Sequence, residues 1–253
     1  MNMFTRKTKV WILVELIFAA GVWLLILLTP EQAEEREQTA APEEDNRLPA
    51  PAVVPVPEAS PAPYGLVNIR HIHPAVCIDL KYASTDNFTG KTLYDNWDAC
   101  LQKDVAEMLS AAGSYLRTVR PDLRLLIYDA ARPLSVQRRM WEHVRDTPYS
   151  RYVAHPERTG LHNYGAAVDL TLSDSLQTPL DMGTDFDYFG EAAGINREDE
   201  LVARGILTAR QAANRQLLRK VMLHAGFRTI SGEWWHFNAC TLSEAKERYP
   251  LIK

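Results

Sequence analysis

The densest run of groups able to do chemistry is Thr159-Gly-Leu-His162-Asn-Tyr-Gly165-Ala-Ala-Val-Asp169-Leu-Thr-Leu. If a strand starts at Ala166, alternation puts Ala167, Asp169 and Thr171 on one face and Val168, Leu170 and Leu172 on the other. Asp169 is then a carboxylate among small residues, opposite an apolar face. His162 is an odd number of positions away, so a straight strand would aim it wrongly. A turn at Asn163-Tyr164-Gly165 could correct this, because Asn and Gly tolerate positive φ. Alone, the pair also fits a structural hydrogen bond. A second run is Gly232-Glu233-Trp234-Trp235-His236-Phe237. An acid three residues before a histidine and walled by aromatics suits a metal ligand beside a proton carrier in a dry pocket. In a regular strand Glu233 and His236 would face opposite ways, so a shared site requires Glu233 to lie in the turn begun by Gly232 or at a bulge. The bland reading is an aromatic edge strand with exposed Glu and His.

Taken together, His162, Asp169 and His236 make a two-histidine, one-carboxylate set. Three protein ligands with an open fourth position are what a catalytic zinc needs. A third element is Tyr128-Asp-Ala-Ala-Arg132-Pro133, with an arginine at the exit of a buried strand. A guanidinium there could stabilise an oxyanion, or could simply pair with Asp129. His71, His73, His143, His155 and His224 have no paired acid at ligand spacing and read as surface or structural, although His71 and His73 would share a strand face. Cys77, Cys100 and Cys240 form no C-x-x-C pair, which argues against a thiolate zinc site. They read as three small buried residues or as one disulfide plus a thiol.

These residues need a scaffold, and the pattern from Tyr64 onward supplies one. Leu101, Val105, Met108, Leu109, Ala112 and Leu116 form a helical stripe closed by Pro121. Leu123 to Tyr128 reads as a buried strand and Ser135 to Arg145 as a second helix. Thr208 with Gln211 resembles a capping box opening a helix to about Ala225, with Gly226 as its stop. Further strands are expected at Val76 to Tyr82, Ala166 to Leu172 and Trp234 to Asn238.

Upstream the composition changes. Val10 to Leu28 is apolar apart from Glu15 and, as a helix, would span about 28 Å at roughly 1.5 Å per residue. Arg6, Lys7 and Lys9 precede it, which predicts an N-terminal transmembrane anchor over residues 1–29 with the rest of the chain extracytoplasmic, periplasmic or at the cell surface. A cleaved signal is the alternative. Residues 30–63 hold eight of the fifteen prolines and a net charge of −6, the composition of an extended linker. Residues 64–253 carry no net charge and no basic run, so nucleic acid is not expected as a partner. This stretch is long enough for one core.

The ordered motifs Asp79 to Gly90, Asp129-Ala-Ala-Arg132-Pro, His162 to Asp169, Met182 to Asp187, Asn214-Arg215 and Gly232 to His236 resemble those of the zinc D-Ala-D-Ala dipeptidases, within the hedgehog/D-peptidase superfamily. The resemblance implies a compact α+β domain with an antiparallel sheet flanked by helices. It implies one Zn2+ per chain held by His162, Asp169 and His236, Glu233 as general base and acid, and Arg132 stabilising the tetrahedral intermediate. It also implies that Asp187, in the Phe-Asp motif, holds the substrate's free ammonium. The chain departs at Gly160, where the family's dipeptidases often carry a serine whose hydroxyl touches substrate. The expected substrate is a small D,D-dipeptide in cell-wall peptide metabolism. Rivals are a D,D-carboxypeptidase or endopeptidase acting on peptidoglycan stem peptides, and a zinc-bearing binding module without catalysis.

Overall fold

The computed structural model describes residues 63–71, 76–95 and 97–253. The stripe after Leu101 forms α1, Lys103–Val119, which ends where Arg120 leaves helical geometry before Pro121. Leu101 itself lies outside the helix. It belongs to β3, Cys100–Gln102, which pairs antiparallel with β1, Leu66–Asn68. Gln102 is held extended because its backbone N–H donates to Gly165 O and its side chain to Tyr164 O.

The main sheet has the order β2-β4-β5-β7-β6, with β2 Val76–Ile78, β4 Arg124–Asp129, β5 Ala167–Ser173, β6 Arg228–Thr229 and β7 His236–Asn238. It is mixed, which corrects the expected antiparallel sheet: β2 runs parallel to β4 because α1 lies in the connection between them, whereas the other pairings are antiparallel. The helices after β4 are α2 Leu134–Val144, α3 Glu198–Ala203, α4 Ala209–His224 and α5 Leu242–Arg248. Thr208 and Gln211 form the expected reciprocal cap of α4, and Gly226 follows it at φ 89°.

Leu125 and Ile127 of β4 and Val168, Leu170 and Leu172 of β5 turn one sheet face into the core with α1 and α4. Both faces are covered, since all seven residues of β5 are buried. Burying polar groups on the second face is costly unless they are partnered, so the polar residues there mark where the structure departs from simple packing.

One expectation changes here. His71 lies in a short 3-10 turn, not on a strand, and His73 is outside the described residues. The three cysteines are free thiols. The membrane-anchored, extracytoplasmic placement is also withdrawn. No helix among the described residues is long and apolar enough to cross a membrane: α1 has 17 residues with one solvated face, where a span takes about 20 apolar ones. The apolar run Val10 to Leu28 and the Pro-rich stretch 30–63, except Pro63, fall outside the described residues.

Candidate active site and metal centre

Strand register assembles the site. Asp169 on β5 stands directly between His236 on β7 and Asp129 on β4. The pairing of β4 with β5 shifts by one residue between Ile127 and Asp129. Without that bulge Asp129 would share a face with Leu125 and Ile127 and enter the apolar core; the extra residue turns it to the side of Asp169. Two carboxylates directly opposite one another repel. Arg132 resolves this: its Nε and Nη2 donate to Asp129 Oδ2 at 2.9 and 2.5 Å, and Nη2 lies 3.6 Å from Asp169 Oδ2. Its Nη1 donates to Gln137 Oε1 at 2.9 Å, which fixes the plane of the guanidinium. Arg132 therefore makes the expected pair with Asp129 and at the same time lines the cavity.

His162 sits in a 3-10 turn, Leu161–Tyr164, closed by Gly165 at φ 65°. A Cβ at Gly165 would come 2.7 Å from Leu66 Cδ2 and 3.3 Å from Gln102 N, so space as well as φ demands glycine. The turn brings His162 to the face of Asp169, with its Nε2 at 3.3 Å from Asp169 Oδ2. Glu233 lies in the bend before β7, not on the strand, and its Oε2 is 4.0 Å from His236 Nδ1.

His162, Asp169 and His236 form a possible metal site, with one donor atom from each lying within 4.8 Å of the others. The surroundings select the tautomers. His162 Nδ1 is 2.6 Å from Ala130 O, a pure acceptor, so Nδ1 carries the proton and Nε2 is left as a lone pair. His236 Nε2 is 2.7 Å from Asn238 Oδ1, which leaves Nδ1 free to accept. Those two lone-pair nitrogens then face each other at 3.2 Å with Asp169 Oδ1 2.8 Å from His236 Nδ1. Three acceptors converging in this way need a cation among them, and oxygen partners on the outer ring nitrogens are the usual support of metal-ligating histidines.

The electrostatics agree. Burial alone would lower the pKa of His236, but the hydrogen bond and charge of Asp169 raise it to about 9, the mark of a site that attracts positive charge. Burial would raise Asp169, yet the imidazoles, His162 foremost, hold it well below the usual carboxylate range. Burial raises Glu233 above its ordinary value, opposed by His236. Burial, then the charge of Asp169, pushes Asp187 well above the carboxylate range.

All six residues singled out from sequence, His162, Asp169, His236, Glu233, Arg132 and Asp187, line one cavity of about 380 Å³. Asp187 adopts φ 59° and accepts from Tyr82 Oη at 3.0 and 2.9 Å. Sequence reading assigned no role to Tyr82, Gln137 or Asn238. Asn238, two residues after His236, shares its strand face by alternation, and Gln137 lies only five residues after Arg132, in the first turn of α2; Tyr82 comes from a distant element with no local signal.

The sequence model of the peptidase family described as D-ala-D-ala dipeptidase matches residues 63–250. A D-alanyl-D-alanine dipeptidase of Escherichia coli (strain K12) is 37% identical over 187 residues, covering 74% of this chain and 89% of that protein. One of Enterococcus faecium is 31% identical over 192 residues, with 68% and 90% covered, and one of Enterococcus faecalis (strain ATCC 700802 / V583) is 32% identical over 178 residues, with 63% and 83% covered. With a family match over most of its length and every group of the site in one cavity, this chain belongs to the D-ala-D-ala dipeptidase family of peptidases.

Proposed function

We propose that this chain hydrolyses the free dipeptide D-alanyl-D-alanine, with residues 64–253 as the catalytic unit and zinc as the metal. The observation that carries the reading is the convergence of the three donors with a carboxyl, Glu233, one-fifth exposed and 4.0 Å from a donor nitrogen. The two histidine nitrogens stand 3.2 Å apart, close to the roughly 3.3 Å between neighbouring ligands that bonds of about 2.0–2.1 Å give around a tetrahedral ion, and Asp169 presents Oδ2 to His162 at 3.3 Å and Oδ1 to His236 at 2.8 Å. Two imidazoles and one carboxylate are also a donor set that zinc accepts while keeping a fourth position for chemistry.

When bound by His162, Asp169 and His236, zinc supplies Lewis acidity, polarising the peptide carbonyl and lowering the pKa of water to about 7. Glu233 takes the proton of the attacking water and delivers it to the leaving amine; its raised pKa brings it toward neutrality, where one group serves as both base and acid. Arg132, locked by Asp129 and Gln137, faces the charge that develops on the carbonyl oxygen without needing to reorganise. Asp187 receives the substrate ammonium, whose positive charge restores the ionised carboxylate that burial disfavours. No covalent intermediate with the protein is needed.

The test is release of D-alanine from D-Ala-D-Ala by metal-stripped and zinc-reconstituted protein. The reading requires turnover only after zinc is restored; inactivity of the reconstituted protein, or full activity of the stripped one, overturns it. N-acetyl-D-Ala-D-Ala should have a kcat/KM at least about 10²-fold lower, because acetylation removes the partner of Asp187. Equal values would favour the D,D-carboxypeptidase reading instead.

A further inference from the structure

We infer that Arg151 is the specificity residue that receives the substrate's C-terminal carboxylate, making the enzyme select peptides with a free C-terminus. This rests on the dipeptidase reading. A dipeptide arrives as a zwitterion, and Asp187 accounts only for its positive end. Two guanidinium side chains line the cavity, Arg132 and Arg151, with no lysine among the lining residues. The charge of Arg132 is already met by Asp129 at 2.5 Å, with Asp169 at 3.6 Å. Arg151 makes neutral contacts: Nη2 donates to Tyr152 Oη at 3.1 Å and its guanidinium lies 4.9 Å from the Tyr152 ring centroid. No carboxylate of the described residues pairs with it.

The neutral donors nearby are occupied. Gly160 N–H donates to Asn163 Oδ1 and Gln137 Nε2 to Ala154 O. Gly160 brings no side-chain donor, so a carboxylate at this wall has a single unclaimed cation to meet. Arg151 is also positioned to serve. It lies in a 3-10 turn, Pro148–Tyr152, opened by Thr147, whose side chain accepts from Tyr149 N. Tyr152 stacks on Phe189 at 5.0 Å and 12°, which fastens the turn to the loop bearing Asp187. Beyond Arg151 the chain runs to Ala154, whose Cβ faces Gly160 on the wall beside His162. An arginine held at a cavity mouth offers a fork of donors matched to a carboxylate.

The experiment compares kcat/KM for D-Ala-D-Ala and its C-terminal amide in the zinc-reconstituted full chain, Arg151→Gln and Arg151→Lys. The native protein should favour the acid by at least about tenfold. Arg151→Gln should cut that acid-to-amide ratio at least about fivefold through KM for the acid, and Arg151→Lys should recover part of it. An equal loss on both peptides in Arg151→Gln, or a native enzyme indifferent to amidation, overturns the assignment while leaving the dipeptidase reading intact. Hydrolysis of neither peptide by the native protein overturns both.

Discussion

The ion pair of Asp129 and Arg132 invites the sharpest perturbation. Asp129 is fully buried and accepts hydrogen bonds from Arg132 Nε, Arg132 Nη2 and Tyr94 Oη, while the Arg132 side chain is 11% exposed. Asp129→Asn keeps the shape and removes the charge, so a guanidinium remains in a site with little water to solvate it. Breaking a buried pair at one end costs about 3–5 kcal/mol. Asp169, 3.6 Å from Arg132 Nη2, offers a second counter-charge and puts the expected loss at the low end, about 3 kcal/mol. For a domain of this size that corresponds to roughly 6–12 °C in Tm at about 2–4 °C per kcal/mol. Thermal unfolding of the metal-free protein reads it directly. The double variant Asp129→Asn with Arg132→Gln should regain part of the loss, because no charge is then stranded. A Tm within about 2 °C of the native value, or a double variant less stable than Asp129→Asn, would refute the reasoning that Asp129 holds the arginine in place electrostatically.

Glu233→Ala should retain one zinc by elemental analysis yet lose at least about 10²-fold in kcat, whereas His162→Ala, Asp169→Ala and His236→Ala should each lose stoichiometric metal. Near-normal turnover without Glu233, or full metal in the ligand variants, would show the roles misassigned. Because the folded-state pKa of His236 is raised to about 9, the metal-free domain binds that proton more tightly than the unfolded chain does. Its stabilising contribution is therefore complete below the ordinary value near 6.5 and lost as pH rises through about 9. The same proton competes with zinc, so calorimetric zinc affinity should rise about tenfold per pH unit across that window, and a flat profile would contradict it. Gly160→Ser should fold normally, with Tm within about 2 °C, since its φ is −131° and an added Cβ meets nothing closer than Ala154 Cβ at 3.6 Å; a large drop in Tm would show that the wall has no room.

That His162 and Asp169 could share one candidate metal site was legible because each rests on a local rule. Alternation along β5 separates Asp169 from the apolar face, and the Asn-Tyr-Gly turn is the one local device that can rotate His162 to meet it. The helices α1, α2 and α4 were legible for a similar reason, through periodic apolar positions and a capping box. The start of α1 was misread because Leu101 continues the helical stripe while its backbone is claimed by β1, a pairing that no local pattern records.

The sequence by itself determined which side chains could bind a metal and carry a proton, and where the segments bearing them must turn, since side-chain chemistry and backbone periodicity are properties of neighbours along the chain. Only the tertiary structure decided what those groups do to one another. The β4 bulge that places Asp129 beside Asp169, the Ala130 and Asn238 oxygens that set the histidine tautomers, and the Tyr82 hydroxyl on Asp187 join residues on different elements. Their effects depend on distances of about 3 Å and on burial that strengthens charge, and these quantities exist only once strands from separate parts of the chain lie side by side.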